Sequence, residues 1–74
     1  MNIQRRKEIK KVIGSISVSV NLLVNILSDE EEAFDSMPEG LQNSDNGMIS
    51  EEAQDALGNA IADLEDAIEL LEEI

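Results

Sequence analysis

The sequence predicts an all-α fold, an antiparallel, coiled-coil-like two-helix hairpin that dimerises into a four-helix bundle. Two long stretches repeat apolar residues with heptad spacing, which is typical of helices that pack side by side. The chain has 74 residues with no cysteine and no histidine. Disulfides and zinc are therefore excluded as stabilisers, and a chain this short needs another source of buried surface. We expect a single domain, residues 1–74, with a second copy supplying that surface.

The first helix is predicted from about residue 3 to about residue 34. Its heptad positions follow one another at alternating steps of four and three: Ile9, Ile13, Ile16, Val20, Leu23 and Leu27. Between Val12 and Ile26 the even positions are also apolar or glycine, which is the alternation of a strand. A strand needs a partner and the chain has no second one, so helix is the preferred interpretation, and strand pairing between chains is the alternative.

The uncharged segment Val12–Ser28 lies between a basic and an acidic stretch, an order shared with signal peptides and membrane anchors. A helix of this length rises about 25 Å, which is short of the roughly 30 Å hydrocarbon core of a bilayer. Ser and Asn residues interrupt it, and no cleavage site of small residues follows. We therefore expect no membrane role.

A connection is predicted over residues 35–49. Pro38 disfavours helix at Met37 and can begin a single helical turn. Asn43 to Gly47 has the composition of a turn, in which Gly47 is free to adopt a positive φ.

The second helix is predicted from about residue 50 to residue 74. Ser50 is a suitable N-cap, and Glu51 and Glu52 suit the positive end of the helix dipole. The predicted apolar stripe, which Ile61 and Ile68 widen, is Ala53, Leu57, Ala60, Leu64, Ala67, Leu71 and Ile74.

The two heptads can be paired outward from the connection in antiparallel register. The predicted layers are Leu27–Leu57, Leu23–Ile61, Val20–Leu64, Ile16–Ile68, Ile13–Leu71 and Ile9–Ile74. This register brings Lys10 and Lys11 beside Glu72 and Glu73. The first helix keeps an uncharged second face away from the seam, formed by Val12, Val18, Leu22, Val24 and Ile26. We expect Val18, Leu22 and Ile26 to bind protein, most simply a second copy.

Charge suggests a second protein-binding surface. Five basic residues against 17 acidic ones give a net charge of -12, which opposes direct binding to nucleic acid or anionic membranes. The predicted acidic face of the second helix comprises Glu52, Asp55, Asp63, Asp66, Glu69 and Glu73. Carboxylates about 5–6 Å apart have the spacing scale of phosphates, so Asp63, Asp66 and Glu69 could occupy a basic DNA-binding groove. The alternative is a solvated face that keeps the protein soluble.

Catalysis is not expected, because the chain has no His, Cys or Tyr and two helices form no closed cleft. A calcium loop with Gly47 as its turn glycine fails, since its first and last ligand positions fall on Gln42 and Ala53. No catalytic residue, cofactor or metal ligand is predicted.

The stretch Glu31–Ile74 resembles a group of small proteins from phages and mobile elements of Gram-positive bacteria. The specific part is the run FDSMPEGLQNS at residues 34–44, followed by Glu51–Ala53 and residues 60–68. Such proteins are helical hairpins without an assigned activity, and their first helix is usually charged, unlike Val12–Ser28. The resemblance implies an inhibitor of a host or defence protein, located in the cytoplasm of the bacterial host. The alternative is a self-assembling structural hairpin without inhibitory role.

Overall fold

The computed structural model describes all residues, Met1–Ile74, and contains only helices. Helix α1 spans Ile3–Asp35, α2 is a single turn over Glu39–Gln42, and α3 spans Asp45–Glu72. The predicted all-α fold is confirmed, and the strand alternative for the Val12–Ile26 segment is wrong. The alternation of β-branched residues is overridden because the same residues also place a full heptad row on one face of a helix.

Helix α1 begins and ends at residues that satisfy its free backbone groups. The Asn2 side chain accepts a hydrogen bond from the Arg5 N–H at 2.8 Å. Asn2 is thus an N-cap that satisfies one of the backbone N–H groups without a partner inside the helix. At the other end the Ser36 N–H donates to the Glu32 carbonyl at 3.0 Å. Pro38 then turns the chain into α2, the single helical turn that its position predicts, and the Gln42 amide ties this turn to the Phe34 carbonyl at 3.0 Å.

The α1 side of the packing follows the predicted heptad. Ile9, Ile13, Ile16, Leu23 and Leu27 are half-buried, and Val20 is buried with 8% of its surface exposed. The row continues beyond the predicted residues to Glu30 and Phe34, which are also half-buried. We call this row and its counterpart on α3 the seam.

The α3 side of the seam follows the predicted layers except at Ile74, and the predicted stripe only in part. Ile61 is buried, Leu57, Leu64, Ile68 and Leu71 are half-buried, and both Ala60 and Ile74 are exposed. An isoleucine removes more apolar area from water than an alanine, so the packing favours the helix rotation that turns Ile61 and Ile68 inward. The alanines of the predicted stripe then lie at the edge of the seam.

The start of the second helix differs most from the expectation. Helix α3 begins at Asp45, and Ser50, the predicted N-cap, lies inside it with 5% of its surface exposed. Ser44 precedes the helix, and its hydroxyl donates to the Leu41 carbonyl. Asp45 in the first turn is favourable for the helix dipole. The predicted connection over residues 35–49 therefore contains α2 and the first turn of α3.

Gly47 explains why the chain can turn so tightly between α2 and α3. No glycine has a positive φ, so the predicted role of Gly47 in a turn is wrong. Gly47 is instead a buried residue of α3, and a Cβ atom there would overlap the backbone of Gln42. The glycine is needed because the backbone of α2 approaches that of α3 at this point.

This packing leaves the protein without a compact core. The molecule measures 58 × 15 × 13 Å, and its radius of gyration of 17.0 Å exceeds the roughly 11 Å of a compact chain of this length. No side chain is fully buried. The seam is thus the main source of stability within one chain, and most of both helices is exposed.

The role of Gly47 gives the first testable prediction. Gly47→Ala should lower the free energy of unfolding by about 1–3 kcal/mol, because the new methyl group displaces the Gln42 backbone. Gly58→Ala is the matched control, since no atom lies within 4 Å of its added Cβ. That change should stabilise the helix by about 0.5–1 kcal/mol. Urea denaturation followed by circular dichroism measures both, and equal effects would contradict the close approach.

Candidate protein-binding surfaces

The first candidate surface is an uncharged side of α1, which we call the α1 flank: Val12, Ser15, Val18, Ser19, Leu22 and Ile26. All six are exposed, and the three predicted binding residues Val18, Leu22 and Ile26 keep 61%, 58% and 52% of their surface. The heptad row commits the opposite side of the helix to α3, so α3 cannot cover these residues. The Ser15 hydroxyl donates to the Lys11 carbonyl at 3.2 Å and is satisfied within the helix. The flank carries no charge and one of its two hydroxyls is already paired, which lowers the polar cost of burying it.

Val24 does not belong to this flank. Together with Ser17 and Asn21 of α1, it lines a shallow groove of about 460 Å³ whose α3 wall includes Glu65, Glu69 and Glu72. The helical rotation of 100° per residue carries Val24 to this side and Ile26 to the other. We call this feature the acidic groove. The predicted face containing Val24 is therefore divided between the two sides of the helix pair.

The acidic side chains of α3 are spread around the helix. Asp63, Asp66 and Glu69 are all exposed, as a protein-binding role requires. Glu69 lines the acidic groove beside α1, whereas Asp63 and Asp66 do not. Because successive residues rotate by 100°, Asp66 points away from the seam and Asp63 turns toward the alanine-rich edge. The three carboxylates form a broad acidic surface instead of one straight row.

The far end of the molecule combines basic and acidic side chains. Arg6, Lys10 and Glu72 line one cavity of about 370 Å³. Ile9, Ile13, Leu71 and Ile74 complete its wall, which is the set of residues that the predicted register brings to this end. The first turns of α1 and the last turn of α3 therefore lie together, and Lys10 lies near Glu72 as expected.

A polar layer in the seam was missed by the sequence prediction. The Ser50 hydroxyl donates to Glu30 Oε2 at 2.9 Å, and the Gln54 amide donates to the Ser50 hydroxyl at 3.2 Å. The signal was present, because three residues beyond Leu27 lead to Glu30, and seven and three residues before Leu57 lead to Ser50 and Gln54. The heptad rows of both helices thus continue beyond their last apolar residues through polar side chains.

The side chains form no group of three or more His, Cys, Asp or Glu residues arranged to hold a metal ion. Gln42, the first position of the rejected calcium loop, donates its amide to the Phe34 carbonyl instead. Gln42 and Gly47 are thus used in joining α2 to its neighbours.

Helix α1 has the length and composition of a membrane-crossing helix. Its most apolar stretch of 18 residues has a mean hydropathy of 1.5, and 6% of that stretch is buried. An N-terminal signal sequence or the core helix of a soluble protein meets the same criterion. The expected absence of a membrane role stays a prediction.

Comparison with protein-family models gives no match, and neither do comparisons with curated proteins and with solved structures. The resemblance to phage and mobile-element proteins therefore also stays a prediction.

The polar layer gives a second testable prediction. Ser50→Ala should lower the free energy of unfolding by about 1 kcal/mol, because Glu30 loses the hydroxyl that donates to it. Ser28→Ala on exposed α1 surface is the control and should change stability by less than about 0.5 kcal/mol. Urea denaturation of both variants, combined with Glu30→Ala in a double-mutant cycle, measures the coupling. Additive effects of Ser50→Ala and Glu30→Ala would contradict the interaction.

Proposed function

We propose that this protein is a non-catalytic protein-binding module whose functional unit is the antiparallel hairpin of α1 and α3. The single observation that carries the proposal is the exposed α1 flank, where Val18, Leu22 and Ile26 present apolar side chains to solvent along an uncharged helix. Contiguous exposed apolar surface of this kind is typical of protein interfaces. Such a surface is unfavourable in water unless another molecule covers it.

The acidic surface of α3 supplies the second element of the proposal. Between Val12 and Ile74 the chain has no Lys or Arg, so the α3 carboxylates have no basic neighbour on their own helix. Like charges three and four residues apart weaken a helix by about 0.2–0.5 kcal/mol per pair, which makes an all-acidic face unfavourable for folding alone. A basic surface on a partner would offset this repulsion and would also raise the rate of association.

We propose, more specifically, that the partner is a host or defence protein and that the module inhibits it, as the resemblance of residues 34–44 implies. Imitation of nucleic-acid phosphates is one form of this function. In that form Asp63, Asp66 and Glu69 occupy a basic groove that otherwise holds DNA. The competing proposal is a structural hairpin that only associates with itself, for which the α1 flank alone is sufficient.

The third testable prediction separates these functions. A partner is first captured from bacterial lysate with the immobilised protein and then purified. If α3 imitates phosphates, its affinity should fall about tenfold or more at high salt, because the screening length shortens from about 8 Å at physiological ionic strength to about 3 Å at about 1 M. Reversal of Asp63, Asp66 and Glu69 to Lys should abolish binding, and duplex DNA should compete with the protein.

The matched control reverses Glu31, Glu32 and Asp35 to Lys, which changes the net charge equally on exposed residues outside α3. It should retain most of the binding, and circular dichroism should show that both variants stay helical. A complex that survives both high salt and reversal of the three α3 residues would remove the mimicry hypothesis. A lysate from which no protein is retained would favour the structural hairpin.

A further inference from the structure

One chain exposes more surface than a compact protein of its size. Its accessible area is 5567 Å², whereas a compact monomer of 8.1 kDa exposes about 4,500 Å². The excess of about 1,000 Å² is close to the roughly 800 Å² that each partner buries in a standard protein interface. The single chain thus has the surface of a molecule from which one partner has been removed.

The charges of α1 indicate which partner fits. All five basic residues lie within residues 5–11, the segment Val12–Ser28 is uncharged, and acidic residues dominate 29–35. The basic and acidic segments lie at equal distances from Val20, one on each side of it, and they carry opposite charges. A second α1 laid antiparallel across this midpoint therefore meets uncharged surface with uncharged surface, and each basic end with an acidic end. A parallel α1 would place like charges together at both ends.

We propose that a second copy of the chain covers the α1 flank, with the two α1 helices antiparallel and crossing near Val20. This inference rests on the proposed role of the flank as a protein-binding surface and assigns that surface to self-association. A twofold axis near Val20 makes the contact isologous, the closed arrangement typical of homodimers. The foreign partner would then meet the acidic surface of α3, of which each dimer presents two copies.

The side chains of the flank fit this pairing. With the axis near Val20, Leu22 lies opposite the partner's Val18, and Ile26 lies near the partner's Ser15. Large side chains thus meet smaller ones, which lets two helices approach closely. Lys11 lies at the level of the partner's Asp29, so the flank ends in opposite charges on both sides. The acidic groove faces away from the contact, so its carboxylates do not oppose it.

The fourth testable prediction uses the absence of native cysteine. Wild-type protein should sediment as a dimer at about 0.15 M salt, a concentration that screens the net charge of the two chains. Ser19→Cys should form a disulfide-linked dimer under mild oxidation, because two Ser19 residues lie within about one helical turn across the axis. Ala33→Cys is the control, since the antiparallel pairing separates two such residues by about 40 Å along the helices.

Charge insertion provides an independent measurement. Leu22→Glu should raise the dimer dissociation constant at least about tenfold, because it places an unpaired carboxylate in the interface. Ser28→Glu adds the same charge to the other side of α1 and should leave the constant nearly unchanged. Circular dichroism shows whether each variant is helical.

Three outcomes would overturn the inference. A wild-type protein that sediments as a monomer at about 100 µM, far above the dissociation constants of ordinary specific dimers, lacks the proposed contact. A monomer that binds phosphatidylcholine vesicles would assign the flank to a membrane. Efficient cross-linking of Ala33→Cys alongside Ser19→Cys would indicate parallel helices, because a parallel pairing brings both residues beside their own copies. No foreign protein is present in these measurements, so a monomer leaves the function of the acidic surface to be decided separately by the lysate experiment.

Discussion

A single row of aliphatic side chains holds α1 against α3, and the exposed surfaces of the protein follow from how narrow that row is. Each helix contributes about two residues per seven to the seam, the share typical of a two-stranded coiled coil. Only Val20 and Ile61 become buried apolar side chains in this way. The remaining faces must therefore be solvated or covered by another molecule. The uncharged face of α1 is suited to being covered by another molecule. The acidic face of α3 is suited to solvation.

The fold of α1 could be predicted closely because one pattern determines it. Heptad spacing from Ile9 to Leu27 identifies both the helix and its buried side, and residues 3–34 differ from the observed Ile3–Asp35 by one residue. The buried side of α3 is less sharply defined by the sequence, because two overlapping rows compete there, although the predicted layers already included Ile61 and Ile68. Alanines at 53, 60 and 67 and isoleucines at 61 and 68 both repeat every seven residues. Which row faces α1 depends on packing between helices, where the larger side chain bears more apolar area.

The first residue of α3 could not be predicted from local sequence signals, for a different reason. Asn, Ser, Asp and Gly between residues 43 and 47 are the usual composition of a turn, and Ser50 is a good N-cap. Both properties are local, whereas the observed start depends on contacts with Gln42 and Glu30, which are distant along the chain or in another helix. The candidate surfaces show the same division. Exposure of Val18, Leu22 and Ile26 follows from helix periodicity, but the separation of Glu69 from Asp63 and Asp66 requires the position of α1.

The polar layer has a consequence for alignment of the helices. Two heptad rows can slide past one another by seven residues and still present aliphatic side chains at most levels. In this chain, such a slip would set Glu30 beside an aliphatic residue and leave the Ser50 hydroxyl without the carboxylate to which it donates. A lone polar position in a coiled coil is known to select one alignment in this way, at some expense in stability. The layer lies near the connection, where a small error in alignment would be carried along the whole 58 Å length of the rod. Glu30, Ser50 and Gln54 therefore fix the alignment of the two helices along their length, so the same residues lie opposite one another in every molecule.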